Sequence, residues 1–157
     1  MTRIKILNLR EKQEIERRLQ EQFGIESVPG VIVQRGEERL FLFSGNFSKE
    51  EIEKLEKCTF IERMGVYFAK IIGKDIRLSI EGSQILKDQI TKNIFDLNPS
   101  QSEEWMMGRE LPIKTGKHGF LIMKRDSDFL GSGKASEEKI GNFIPKNRRL
   151  REKTSKL

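Results

Sequence analysis

Short apolar runs cut by glycine turns constrain this chain more than any other feature. "VIVQRGEERLFLFSG" holds two runs of strand length around Gly36, and "MGVYFAKIIGKDIRLSI" holds two more around Gly73, Lys74 and Asp75. Runs of this length with a turn at the centre read as β-hairpins. Beyond residue 110 the pattern tightens. "LPIK", "HGFLIMK", "DFLGSGK" and "GNFIP" are strand candidates at the spacing of a small barrel. Helical signals punctuate the strands. Asn8 with Glu11 makes a capping box, Ile15, Leu19 and Phe23 recur every four residues, and Gly24 ends the run. Ser48 and Glu51 repeat the box ahead of Ile52 and Leu55. A shorter helix is expected through "IEGSQILKDQ", although Gly82 in its first turn disfavours it. "KNIFDL" reads as a strand, and Asn98 with Pro99 caps a helix through "SQSEEWMMG".

The fold class expected is α+β: a small α/β unit over residues 1–72, then a strand-rich unit over 73–157 whose basic tail frays. No low-complexity linker separates the two, so the boundary near Gly73 must be tight.

Charge follows the same division. Residues 1–116 hold 19 Lys/Arg against 19 Asp/Glu, and residues 117–157 hold 11 against 5, which accounts for the whole net charge of +6. A balanced first part and a basic end suggest a polyanionic partner, nucleic acid first and an anionic membrane surface second. The single Cys58 allows no internal disulfide and no cysteine-based zinc site within these residues. No stretch is long and apolar enough to span a bilayer, and the start lacks a signal-peptide core, so a cytoplasmic setting is expected.

Several constellations invite a catalytic reading and fail it. "DFLGSGK" superficially resembles a phosphate-cradling loop, which needs G-x-x-x-x-G-K followed by Ser or Thr. Asp128 stands where the first glycine belongs and would repel phosphate, while Ala135 follows Lys134 and cannot hold magnesium. Gly131 and Gly133 are better read as bends in a strand, where a backbone or ligand approaches closely. His118, the lone histidine, lies in a turn between Lys117 and Gly119 and is expected to be solvated. Trp105, Met106 and Met107 read as an apolar helix face. No metal-ligand spacing is found, so neither catalytic residues nor metal or cofactor are expected. The cluster of Lys146, Arg148, Arg149 and Arg151 differs, because guanidinium forks suit bidentate phosphate contact and the residues upstream are charge-balanced.

The run "RLSIEGSQI", then "EEWMMGREL", "HGFLIMKRDSDFLGSGK" and "NFIPKNRRLR", resembles a PUA domain. The order and spacing match the kind found at the C-terminus of Sun/Fmu-type RNA cytosine-5 methyltransferases and in short stand-alone archaeal ribosome-biogenesis proteins. The resemblance covers about residues 73–151. It implies a β-barrel, or pseudobarrel, that binds structured RNA, and an archaeal setting. It also implies a binding surface built from Arg77, Ser79, Gly82 and Lys87 after the first strand. Gly131, Gly133 and Lys134, then Lys146, Arg148, Arg149 and Arg151, would complete it, with the backbone at Gly82 and Gly131 close to the RNA. Methyltransferases of this type also carry a glycine-rich cofactor loop and a Pro-Cys motif. These 157 residues contain neither, so methyl transfer is not carried over.

The expected function is therefore non-enzymatic binding of structured RNA, rRNA or tRNA, in RNA modification or ribosome biogenesis. The alternative is an adaptor that docks onto a separate RNA-modifying enzyme or assembly factor through Phe41, Phe43, Phe47 and Tyr67.

Overall fold

The computed structural model describes residues 4–43 and 65–151. The helix expected from Ser48, together with Phe47, Cys58 and the tail beyond Arg151, lies outside them.

Five strands pair antiparallel in chain order into one sheet: β1 (Ile4–Ile6), β2 (Val31–Arg35), β3 (Arg39–Phe43), β4 (Val66–Ile72) and β5 (Asp75–Leu78). Helix α1 (Leu9–Phe23) lies between β1 and β2. Its capping box forms as the sequence requires. The Glu11 N–H donates to the Asn8 side-chain oxygen Oδ1 at 2.9 Å, and the Asn8 N–H donates to the Glu11 carboxylate at 3.1 Å. Gly24 closes the helix at φ 81°, in the left-handed region that costs a glycine nothing. Ile15, Leu19 and Phe23 are buried against Ile32, Leu40, Phe68 and Ile76. The β5 edge is capped by Gln22 of α1, whose amide donates to the Ile76 carbonyl at 3.0 Å and accepts from the Ile76 N–H at 2.6 Å.

A second sheet of four strands follows: β6 (Ile94–Asp96), β7 (Gly119–Arg125), β8 (Asp128–Ala135) and β9 (Ile140–Asn142), with β6 and β7 parallel and the rest antiparallel. Helix α2 (Ile80–Ile85) precedes it and continues into a 3₁₀ turn, Lys87–Gln89; helix α3 (Pro99–Met106) lies between β6 and β7. A second capping box starts α3, where the Gln101 N–H donates to Asn98 at 2.8 Å. Trp105 of α3 is fully buried among Leu121, Met123, Ile140 and Ile144, the packing role its helix face predicts.

Two expected strands are shorter than their sequences suggest. "LPIK" contributes a single bridge between Leu111 and Ile140. "GNFIP" leaves the sheet at Asn142, because that side chain takes over the local hydrogen bonding. Its amide nitrogen donates to the Trp105 and Arg109 carbonyls at 2.8 and 2.9 Å, and its oxygen accepts the Ile144 N–H at 2.8 Å. The chain therefore turns away at Phe143.

The expected barrel does not close. The two sheets share no backbone ladder among the described residues, and two buried serines join them instead. Ser132 of β8 accepts the Leu78 N–H at 3.0 Å. Ser83 of α2 accepts the Gly131 N–H at 2.9 Å and donates to the Ile80 carbonyl at 2.8 Å. One hydrophobic cluster runs through the join, with Leu19, Phe68 and Leu78 on one side and Phe120, Ile122 and Phe129 on the other. The 72/73 division falls in the β4–β5 turn, so residues on both sides of it share one sheet and one core.

Removing a hydroxyl at this join strands a buried donor. Ser132→Ala should lower the unfolding free energy by about 1–3 kcal/mol, the cost of leaving the Leu78 N–H unpaired. Chemical denaturation checks this, and an unchanged midpoint would rule out a structural role for the hydroxyl.

Candidate nucleic-acid interface

The segment that leaves β9 at Phe143 crosses back over the join between the sheets. There it meets the start of α2 and the glycine-rich part of β8, and the three enclose a cleft of about 90 Å³. Arg77, Ser79 and Glu81 line one side, Leu130, Gly131 and Ser132 a second, and Phe143, Ile144 and Pro145 a third, with Tyr67 of β4 completing it. The three segments expected to form a binding surface thus meet in one place.

Their individual residues divide into those held in internal contacts and those left exposed. Ser79 is a builder. Its hydroxyl caps α2 by accepting the Gly82 N–H at 3.0 Å, and it donates to the Tyr67 carbonyl at 2.9 Å. The glycines are builders too, each meeting another part of the protein at close range. Gly82 is buried, and a Cβ there would stand 2.1 Å from the Phe68 carbonyl oxygen. Its missing side chain lets α2 sit directly on β4. Gly131, also buried, has φ 80°, and its N–H is spent on Ser83. Gly133 is buried beneath Trp105 and Ile140, which a Cβ would meet at 2.8 and 2.6 Å. In each case the close approach is between parts of the protein.

The terminal cations divide likewise. Arg148 forms an ion pair and hydrogen bond with Glu81 of α2. Arg149 donates to the Ile144 carbonyl at 2.9 Å and lies across Gly108, while the Leu150 N–H donates to the Met106 carbonyl at 2.7 Å. These contacts hold the C-terminal segment over the cleft. Lys146 and Arg151 are exposed and make no ion pair with another described residue, and Lys87 is exposed on its 3₁₀ turn.

Aromatic rings supply what the sequence reading did not foresee. Phe143 is 38% exposed. The Arg77 guanidinium lies over its ring at 4.3 Å, and Phe120 packs against it at 6.0 Å between centroids. Lys134 in turn lies over Phe120 at 5.6 Å. Arg77 and Lys134, chosen from distant segments, thus flank one aromatic pair. The available signal was Phe143 itself, an aromatic residue just past a strand-ending Gly-Asn. Phe41 and Phe43, expected as docking residues, are engaged inside the first sheet: Phe43 is 3% exposed, and Phe41 packs on Tyr67 at 5.6 Å.

An aromatic face flanked by cations, beside a small apolar cleft, suits a base stacked on a ring with its phosphates held at the rim. That chemistry agrees with sequence similarity. Residues 92–150 match the family model described as the methyltransferase RsmF PUA domain. Three proteins named ribosomal RNA small subunit methyltransferase F illustrate the relationship. One from Aeromonas salmonicida is 27% identical over 141 residues, one from Shewanella woodyi 29% over 143, and one from Vibrio cholerae 25% over 138. These alignments cover 89%, 88% and 87% of this chain, so the similarity reaches well upstream of residue 92 into the first sheet. The chain spans 28% of the length of each relative. All three relatives are bacterial, which leaves the expected archaeal setting without support. No helix among the described residues is long and apolar enough to cross a membrane.

Gly82→Ala should destabilise the fold by about 1–3 kcal/mol through the clash with Phe68. Thermal melting without RNA reads this directly. Wild-type stability combined with weakened RNA binding would restore Gly82 as a contact residue.

Proposed function

We propose that the protein is a non-catalytic, cytoplasmic RNA-binding module that acts in ribosomal RNA modification, with structured RNA held at the cleft beneath Phe143. The observation carrying this reading is the cation–aromatic ladder of Arg77, Phe143, Phe120 and Lys134, whose first two members line the cleft. The names of its relatives supply the RNA class. A binding role without chemistry of its own is supported by the cleft's lining: the one carboxylate in it, Glu81, is already paired with Arg148.

In this reading each group has a distinct duty. Phe143 offers its exposed face to an unpaired base. Lys134, Lys146 and Arg151 neutralise phosphates, and Lys87 extends the same rim. Arg148 and Arg149 act indirectly by keeping the C-terminal segment in position. The basic excess after residue 116 raises the encounter rate with RNA at low salt.

Fluorescence anisotropy with small-subunit rRNA fragments tests the assignment. The protein should bind with a steep salt dependence, and Lys134→Gln and Lys146→Gln should each flatten the slope of log K against log salt by about 0.7–0.9. Phe143→Ala should cost about 1–3 kcal/mol of binding to single-stranded or bulged RNA. Absence of binding at low salt, or variants matching the wild type, would overturn it.

A further inference from the structure

The face of the first sheet turned away from α1 carries a row of cations that the cleft does not account for. Arg35 of β2 is directly opposite Arg39 of β3, Arg39 is opposite Lys70 of β4, and Lys70 is opposite Arg77 of β5. Directly paired residues point to the same face, so four positive side chains stand in line across four strands. At about 4.8 Å between strands the row is about 14 Å long. Like charges directly opposite one another in a sheet are destabilising, and here three such pairs adjoin. Two acids stand beside the row. Glu38 pairs with Lys70 at 3.3 Å, and Asp75 stands two residues before Arg77 on the same strand face.

The row also joins the cleft. Its last member, Arg77, is the guanidinium over Phe143, and Arg39 lies over the ring of Tyr67 at 5.9 Å, the residue that closes the cleft on the β4 side. Three cation–ring contacts, Lys134 over Phe120, Arg77 over Phe143 and Arg39 over Tyr67, therefore run from β8 past the cleft onto the first sheet. The charge count hid this feature, because residues 1–116 are neutral in sum and only strand register brings these four side chains together.

We propose that the Arg35–Arg39–Lys70–Arg77 row is a second phosphate-binding track that carries the RNA backbone from the cleft across the first sheet. The proposal rests on the RNA-binding reading of the cleft. It makes the footprint longer than the PUA domain alone and gives the upstream residues a direct part in RNA binding. A polyphosphate backbone is favoured over an acidic protein surface because the cations stand in line at the strand spacing and two of them, Arg39 and Arg77, lie over rings whose faces suit bases.

The test compares oligonucleotides of about 4 and about 16 nucleotides, the range one such surface accommodates. For the wild-type chain the longer RNA should bind more tightly and with the steeper salt slope. Arg39→Gln with Lys70→Gln should leave the short RNA unaffected and flatten the slope for the long one by about 1.4–1.8, two cations' worth. The charge-keeping pair R39K and K70R should retain the slope, which separates charge from folding. Irradiating the wild-type chain bound to thiouridine-substituted long RNA should label the peptide containing Tyr67. If Lys134→Gln weakens the long RNA while the R39Q, K70Q pair does not, and Tyr67 stays unlabelled, the track is refuted and the cleft reading survives. If the wild-type chain binds neither RNA, both fail.

Discussion

Two serine hydroxyls hold the organisation of this protein together. A sheet of five strands and a sheet of four meet without a shared ladder, and a backbone N–H buried at such a seam costs about 1–3 kcal/mol if left unpaired. Ser132 and Ser83 meet that demand at Leu78 and Gly131, and they are the buried polar side chains among the described residues. Because they act across the seam, they also fix how α2 and β8 stand to one another. The cleft is the space left when that geometry is satisfied and the segment after Phe143 is laid over the top.

Seen this way, the glycines and the terminal arginines are parts of one assembly. Gly82 brings α2 onto β4, Gly131 presents its N–H to Ser83, and Gly133 makes room for Trp105. Arg148 and Arg149 then fasten the C-terminal segment to Glu81 and to the Ile144 carbonyl. These residues build the surface; in the proposed reading the groups that meet RNA at the cleft are Phe143, the lysines at 87, 134 and 146, and Arg151. A mutation in the first group should act through stability, and one in the second through affinity.

Much of this was legible in the sequence because local rules govern it. The capping box at Asn8, the Asn98 cap of α3, the hairpins at Gly36 and Gly73, the buried face of α1 and the packing role of Trp105 follow from short-range patterns of hydrogen bonding and periodicity. The three surface segments came from resemblance, and they do converge. What remained hidden is set by register and by side-chain competition. Asn142 ends β9 early through three hydrogen bonds, which frees Phe143 to become a surface ring. The four-cation row exists only because Arg35, Arg39, Lys70 and Arg77 fall into register across strands. The barrel implied by resemblance is replaced by two sheets joined through serines, a difference that apolar spacing cannot reveal.

The central claim is that RNA is held where α2, β8 and the segment after β9 meet. Hydrogen exchange of the chain with and without a small-subunit rRNA fragment tests it most directly. Binding should slow exchange together in residues 77–87, 129–134 and 143–151. Tight binding with no slowing in these three segments, or with protection confined elsewhere, would contradict the account.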